Sequence, residues 1–283
     1  MSSKVISRLG IFFIGVPLVI ALVMLNQYNH LAIHVVVTAV SVIAATEFYH
    51  LLSHNFKLQN KVLVLVLAGL INFAMLLRAI FEFDVTYVDF VFILSVLICL
   101  SAEVFGKTFE DSNSRLVTSI TILTYTGFLL TFLTRMTFLR NSRQILIMFL
   151  TMVFFCDSAA WLFGNLFGKN NKGFIKASPN KSIAGFCGGV LGSILSGCIS
   201  WSLWNEIFAD SLLKLILLGV LISITSILGD LVESVLKRSS DCKDSGSIIP
   251  GRGGILDSID SIVFSAPVFY FAITHLYPSL LIK

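Results

Sequence analysis

Residues 211–230 read Ser211-Leu212-Leu213-Lys214-Leu215-Ile216-Leu217-Leu218-Gly219-Val220-Leu221-Ile222-Ser223-Ile224-Thr225-Ser226-Ile227-Leu228-Gly229-Asp230. Apart from Lys214 no charge interrupts the run before Asp230, and about 20 residues at ~1.5 Å each cross a hydrocarbon layer of ~30 Å as a helix. Working outward, further apolar runs bounded by charges lie near 9–25, 31–47, 62–80, 88–105, 116–134, 144–164, 183–204 and 255–276. The expected fold is all-α, a polytopic integral membrane helical bundle of about nine transmembrane helices. Composition agrees. The 283 residues are 56% hydrophobic and 13% charged, with mean hydropathy +0.91, against roughly 45–50% apolar residues in soluble domains. Little sequence is left for a water-soluble catalytic head. The first run contains Pro17 and meets no small-residue cleavage site before Asn26, so it is read as a retained span.

Nine spans put the amino terminus and the loops after the even-numbered spans on one side, which carries fourteen of the twenty Lys and Arg. That side is expected to be cytoplasmic. Arg135, Arg140 and Arg143 break the pattern. The five Cys lack paired spacing, which argues against a disulfide framework and a zinc site. The five His read as interfacial or packing residues, and no repeat suggests inverted transporter halves. Residues 1–143 read as a transmembrane scaffold of about five spans. Residues 144–283 read as the domain that carries the chemistry, with about four spans and two basic cytoplasmic loops.

Ionisable groups inside a bilayer cost roughly 2.5–3.5 kcal/mol each on insertion scales, so their positions are informative. Asp157 lies far inside its span, Asp230 closes residues 211–230, and Asp257 and Asp260 open the last span, three residues apart on one helix face. Any one of these alone reads as a helix cap or a solvated end. Four together read as an oxygen-rich site for a hard cation such as Mg²⁺.

The connection before the last span contains Lys237, Arg238, Lys243 and Arg252, cations suited to a polyanion at the membrane face. Pro250-Gly251-Arg252-Gly253-Gly254 lets the backbone turn tightly and aim N–H groups at a phosphate just before a helix N-terminus. The plainer reading is a Gly-rich turn with positive-inside anchors. An earlier connection holds Lys169, Lys172, Lys176 and Lys181, and Lys181 reads equally as a phosphate contact or an anchor. Gly185, Gly188, Gly189 and Gly192 read as close helix packing.

The pattern Ser-x-x-Lys-Arg-x₄-Lys-Asp-x₅-Pro-Gly-x-Gly-Gly-x-x-Asp-x-x-Asp, from Ser234 to Asp260, resembles the signature of the phosphatidate cytidylyltransferases, or CDP-diacylglycerol synthases. Asp157 with Gly164, Gly168-Lys169 and Ser178-Pro179-x-Lys181-Ser182-x-x-Gly185 resembles a second stretch, and Gly229-Asp230-Leu231-x-Glu233-Ser234 a third. The resemblance implies a membrane transferase of phospholipid biosynthesis that converts CTP and phosphatidate to CDP-diacylglycerol and pyrophosphate. It implies that Asp230 and Asp257 hold a Mg²⁺ centre with Asp260 beside them, read here as a third ligand, and K⁺ as a candidate second cation. A homodimer in the bacterial plasma (inner) membrane is also implied, with membrane lipids as partners and no nucleic acid.

On this reading Asp230, Asp257, Asp260, Lys237, Lys243 and Asp244 are catalytic. Lys181, Ser234, Arg238, Gly251, Arg252, Gly253, Gly254 and Asp157 bind substrate. Three positions depart from the family's usual pattern: Arg252 stands in place of His, Ser258 in place of Arg, and Ala184 in place of Glu. Arg252 and Ser258 together read as a charge exchange within the loop. The rival readings are a cytidylyltransferase for another lipid phosphate, and a secondary transporter or ion channel lined by the carboxylates.

Overall fold

The structure, a computed structural model, describes residues 15, 17–106, 108–208, 211–249, 251 and 253–281. Among these, eight helices are long and apolar enough to cross a membrane: α1 Gln27–Leu52, α2 Lys61–Phe81, α3 Thr86–Val104, α4 Ser112–Phe138, α5 Ser142–Phe167, α6 Ile183–Leu203, α7 Leu212–Ser239 and α8 Leu256–Leu276. Each falls on an expected span. Residues 9–14 and 16 of the first expected span, 9–25, lie outside the described residues, and within it residues 17–24 are helical. Extended pairing among the described residues is limited to isolated bridges, Lys172 with Ser182 and Ile249 with Gly253. The chain is thus an all-α, multi-pass membrane protein.

Two compact units divide the chain. The first holds the sequence up to Arg135 together with Ser239–Ile259, and the second holds Met136–Arg238 together with Asp260–Lys283. The expected division at residue 143 assigned 239–259 to the later half. In the structure that segment belongs to the first unit, where the Ile255 and Leu256 N–H groups donate to Glu47 of α1.

In the first unit α1 packs along α2. The Asn60 side chain starts α2 by accepting from Val62 N and Leu63 N, a cap that contributes about 1 kcal/mol. Midway along α4 the helix widens into a π turn over Leu123–Phe128. Such a turn offers carbonyls to neighbours, and no water is available in a bilayer to satisfy them. Ser41 Oγ donates to Thr126 O at 2.7 Å, and Asn72 Nδ2 donates to Gly127 O at 2.8 Å and to Ser41 Oγ at 3.0 Å. Arg135 is buried at the end of α4, ion-paired with Asp89, its guanidinium 4.6 Å from the Phe132 ring and 5.5 Å from the Phe128 ring. It is therefore an internally satisfied charge, which accounts for one member of the basic cluster that broke the sidedness pattern.

In the second unit α5 packs closely along α6. A Cβ at Gly192 would stand 2.4 Å from the Phe155 carbonyl oxygen, so this approach requires glycine, as the packing reading expected. The Phe149 and Phe269 rings, 4.9 Å apart, tie α5 to α8.

One expectation about α7 is corrected. Asp230 does not close the helix, which continues to Ser239. Glu233, Lys237 and Arg238 lower the hydropathy after Asp230 without ending helical geometry, and a Glu233–Lys237 ion pair one turn apart supports the extension. Asp230, Glu233, Ser234 and Lys237 consequently share one face of a single helix.

Candidate active site

In the second unit, one carboxylate oxygen from each of Asp230, Glu233 and Asp260 lies within 4.8 Å of the other two. Glu233 and Asp260 are 1% and 6% exposed, so two of the three acids are withdrawn from solvent. The close approach of α7 and α8 makes this possible, since a Cβ at Gly229 would stand 2.7 Å from the Asp260 carbonyl oxygen. Lys181 Nζ is 2.6 Å from Asp230 Oδ2, and Lys237 Nζ is 2.5 Å from Glu233 Oε2. Ser234 Oγ stands 3.5 Å from Asp230 Oδ1, at the edge of hydrogen-bond range. Asp157 on α5 accepts from Ser226 Oγ of α7 at 3.4 Å, and the Ser226 carbonyl accepts from Ser261 Oγ of α8 at 3.1 Å. The expected tie between Asp157 and the acidic helices therefore runs through Ser226. An oxygen-only set of three carboxylates fits a hard divalent cation. The two ammonium groups offset much of its charge.

In the first unit the Gly-rich turn is closed by two main-chain bonds, Ile249 N to Gly253 O at 2.8 Å and Gly253 N to Ile249 O at 3.0 Å. Gly251 and Gly253 adopt φ of 79° and 114°, conformations that disfavour a side chain. Asp257 Oδ2 accepts from Ser245 N, Ser245 Oγ and Gly254 N, each at 2.8 Å. The N–H groups of Gly253 and Gly254, expected to meet a phosphate, are thus engaged in shaping the turn. Lys243, Asp244 and Arg238 are exposed. Arg252 and Pro250 lie outside the described residues, and the charge exchange read at Arg252 lies there with them. Asp257 was expected to share a metal with Asp230 and Asp260; it belongs to the first unit, whereas they belong to the second.

The profile of the cytidylyltransferase family matches residues 6–276, nearly the whole chain. The chain belongs to the cytidylyltransferase family. A relative from Synechocystis, named phosphatidate cytidylyltransferase, is 43% identical over 129 residues, covering 44% of this chain and 41% of its own length. One of the same name from Bacillus subtilis is 43% identical over 115 residues, covering 41% and 42%. Phosphatidate cytidylyltransferase 5, chloroplastic, from Arabidopsis thaliana is 41% identical over 119 residues, covering 40% and 28%. The matched segment spans less than half of each of these relatives.

Two carboxylates of this cytidylyltransferase-family chain escaped assignment from sequence. Glu233 had a readable signal, since it follows Asp230 by three residues and precedes Lys237 by four on a helical face. Taking Asp230 as the end of the span hid it. Glu47 is a single acid at the end of an apolar run, with no local motif. Its partners are 198 to 209 residues away in sequence, and only the tertiary fold reveals them.

Proposed function

We propose that this chain transfers the cytidylyl group of CTP to phosphatidate, yielding CDP-diacylglycerol and pyrophosphate. The observation that carries this reading is the cluster of Asp230, Glu233, Asp260 and Lys237 on two membrane-spanning helices, met by Lys181 from the connection before α6. Membership of the cytidylyltransferase family supports it, as do the names of the relatives.

A phosphate oxygen of phosphatidate attacks the α-phosphorus of CTP. A new P–O bond forms while the bond from the α-phosphorus to the α,β-bridging oxygen breaks, and that oxygen leaves with pyrophosphate. The attacking oxygen is already ionised near neutral pH, so no protein base is needed. The difficulty is bringing two polyanions together, and positioning and charge neutralisation are the means available.

Asp230, Glu233 and Asp260 are the proposed ligands of Mg²⁺, which when bound neutralises triphosphate charge and favours departure of pyrophosphate. Lys181, paired with Asp230, is the proposed phosphate contact; phosphate roles for Lys243 and Arg252 are separate proposals from the sequence. A metal role for Asp257, a second K⁺ and homodimerisation are separate proposals from the family resemblance. The excess of Lys and Arg on one side supports cytoplasmic loops, and relatives from bacteria support a bacterial plasma membrane.

The test is a panel of lipid phosphates with radiolabelled CTP and Mg²⁺. Labelled CDP-diacylglycerol formed from phosphatidate is expected, and preferential labelling of a different lipid phosphate overturns the substrate assignment.

A further inference from the structure

We propose that Glu47 is a positioning residue for the Gly-rich turn: a carboxylate supplied by α1 that caps α8 and fixes the Asp257 loop from behind. The inference rests on the reading that this loop serves CTP.

The first N–H groups of a helix have no carbonyl partner within it, and a nearby Ser, Thr, Asp or Asn commonly accepts from them. At the start of α8, Ile255 O accepts from Ser258 N and Ile259 N, so Ile255 occupies the capping position with a side chain that cannot accept. Asp257, the first acid inside the helix, directs Oδ2 back to Ser245 and Gly254. Glu47 fills the gap. Its Oε1 accepts from Ile255 N at 3.0 Å, and its Oε2 accepts from Leu256 N at 2.8 Å and from Ser245 Oγ at 3.2 Å.

Glu47 is 7% exposed, and its described donors are all neutral. A buried carboxylate is tolerated there because main-chain N–H groups at a helix N-terminus satisfy it and the helix dipole favours its charge. The loop is shaped around it. A Cβ at Gly246 would stand 2.6 Å from Glu47 Oε1, and one at Gly254 would stand 2.3 Å from Oε2. Ser245 Oγ lies within hydrogen-bond distance of both Glu47 Oε2 and Asp257 Oδ2, so one hydroxyl links the two carboxylates. Displacing Glu47 therefore displaces the Asp257 carboxylate and the turn that carries Gly251.

The experiment uses the full-length protein in detergent and the substitution Glu47→Gln, which keeps size and turns an amide NH₂ toward the donors. Amide hydrogen exchange over residues 245–257 is measured together with steady-state kinetics. Exchange at Ile255 and Leu256 is expected to accelerate and the KM for CTP to rise, each by at least about tenfold, with the KM for phosphatidate unchanged within about twofold. A KM for CTP within about twofold of the parent overturns the proposal, as does a parallel rise in both KM values.

If Glu47→Gln fails to fold, Ser245→Ala decides, since it removes the shared hydroxyl and keeps both carboxylates. A selective rise in the KM for CTP of about threefold or more supports positioning, and a smaller change overturns it. A parent protein inert toward CTP overturns the functional reading and the positioning role together. An unaffected variant of an active parent overturns positioning alone.

Discussion

Lys181 Nζ lies 2.6 Å from Asp230 Oδ2, which joins the basic connection before α6 to the acidic face of α7. The Asp230 side chain is 41% exposed, so solvent screens the pair and its contribution to stability is at most about 1 kcal/mol. Lys181→Met should leave the thermal midpoint in detergent nearly unchanged and raise the KM for CTP about tenfold or more, equivalent to about 1.4 kcal/mol. Paired thermal and kinetic measurements check this, and a large fall in stability with unchanged kinetics would make Lys181 a structural anchor.

Glu233 and Lys237 differ from that pair because both are withdrawn from solvent, at 1% and 12% side-chain exposure. Glu233→Gln should destabilise the protein by about 1–3 kcal/mol by removing the carboxylate 2.5 Å from the Lys237 ammonium. Adding Lys237→Met should restore most of that stability. If Glu233 holds the metal, Mg²⁺-dependent turnover in the double variant stays depressed by about a hundredfold or more, a loss near 2.7 kcal/mol in transition-state stabilisation. Recovery of both properties would reduce Glu233 to a partner of Lys237.

The sequence-level reading was strongest where physics is local. Apolar run length marks each described span from α1 to α8, and small residues before Gly192 and at it mark a close helix pair. It was weaker where charges compensate one another across the fold. Arg135 looked like a loop cation because Asp89, Phe128 and Phe132 come to it only in three dimensions. Helix α7 looked shorter because hydropathy falls at Glu233 and Lys237, whose mutual pairing a linear scan does not register. Asp230 and Asp260 were legible as unusual acids, and Glu233 completes their cluster on the continued helix. Glu47 was illegible, since its meaning depends on main-chain groups of Ile255 and Leu256.

The α5–α6 interface offers a stability test free of chemistry. Gly192→Leu forces side-chain atoms into the space held by the Phe155 carbonyl and the Ala159 side chain. A loss of about 1–3 kcal/mol is expected from overpacking, read as a lower thermal midpoint and a reduced yield of folded protein. Parent-like stability would mean that the helices separate at little cost.

Asp257→Asn separates two roles of one carboxylate. Loss of turn geometry alone, through the bonds to Ser245 and Gly254, raises the KM for CTP at fixed Mg²⁺ dependence. A metal role raises the Mg²⁺ concentration needed for half-maximal rate by about tenfold or more. The increased Mg²⁺ requirement is the outcome expected, and initial rates across a Mg²⁺ series decide it.

The most direct measurement is pyrophosphate release by the purified protein supplied with CTP, phosphatidate and Mg²⁺. Stoichiometric pyrophosphate and CDP-diacylglycerol are expected, dependent on all three additions, stopped by chelation and abolished by Asp230→Asn in a protein that still folds. Ion flux through protein-containing liposomes without CTP, accompanied by no pyrophosphate release, would contradict the assignment and return the carboxylates to a transport role.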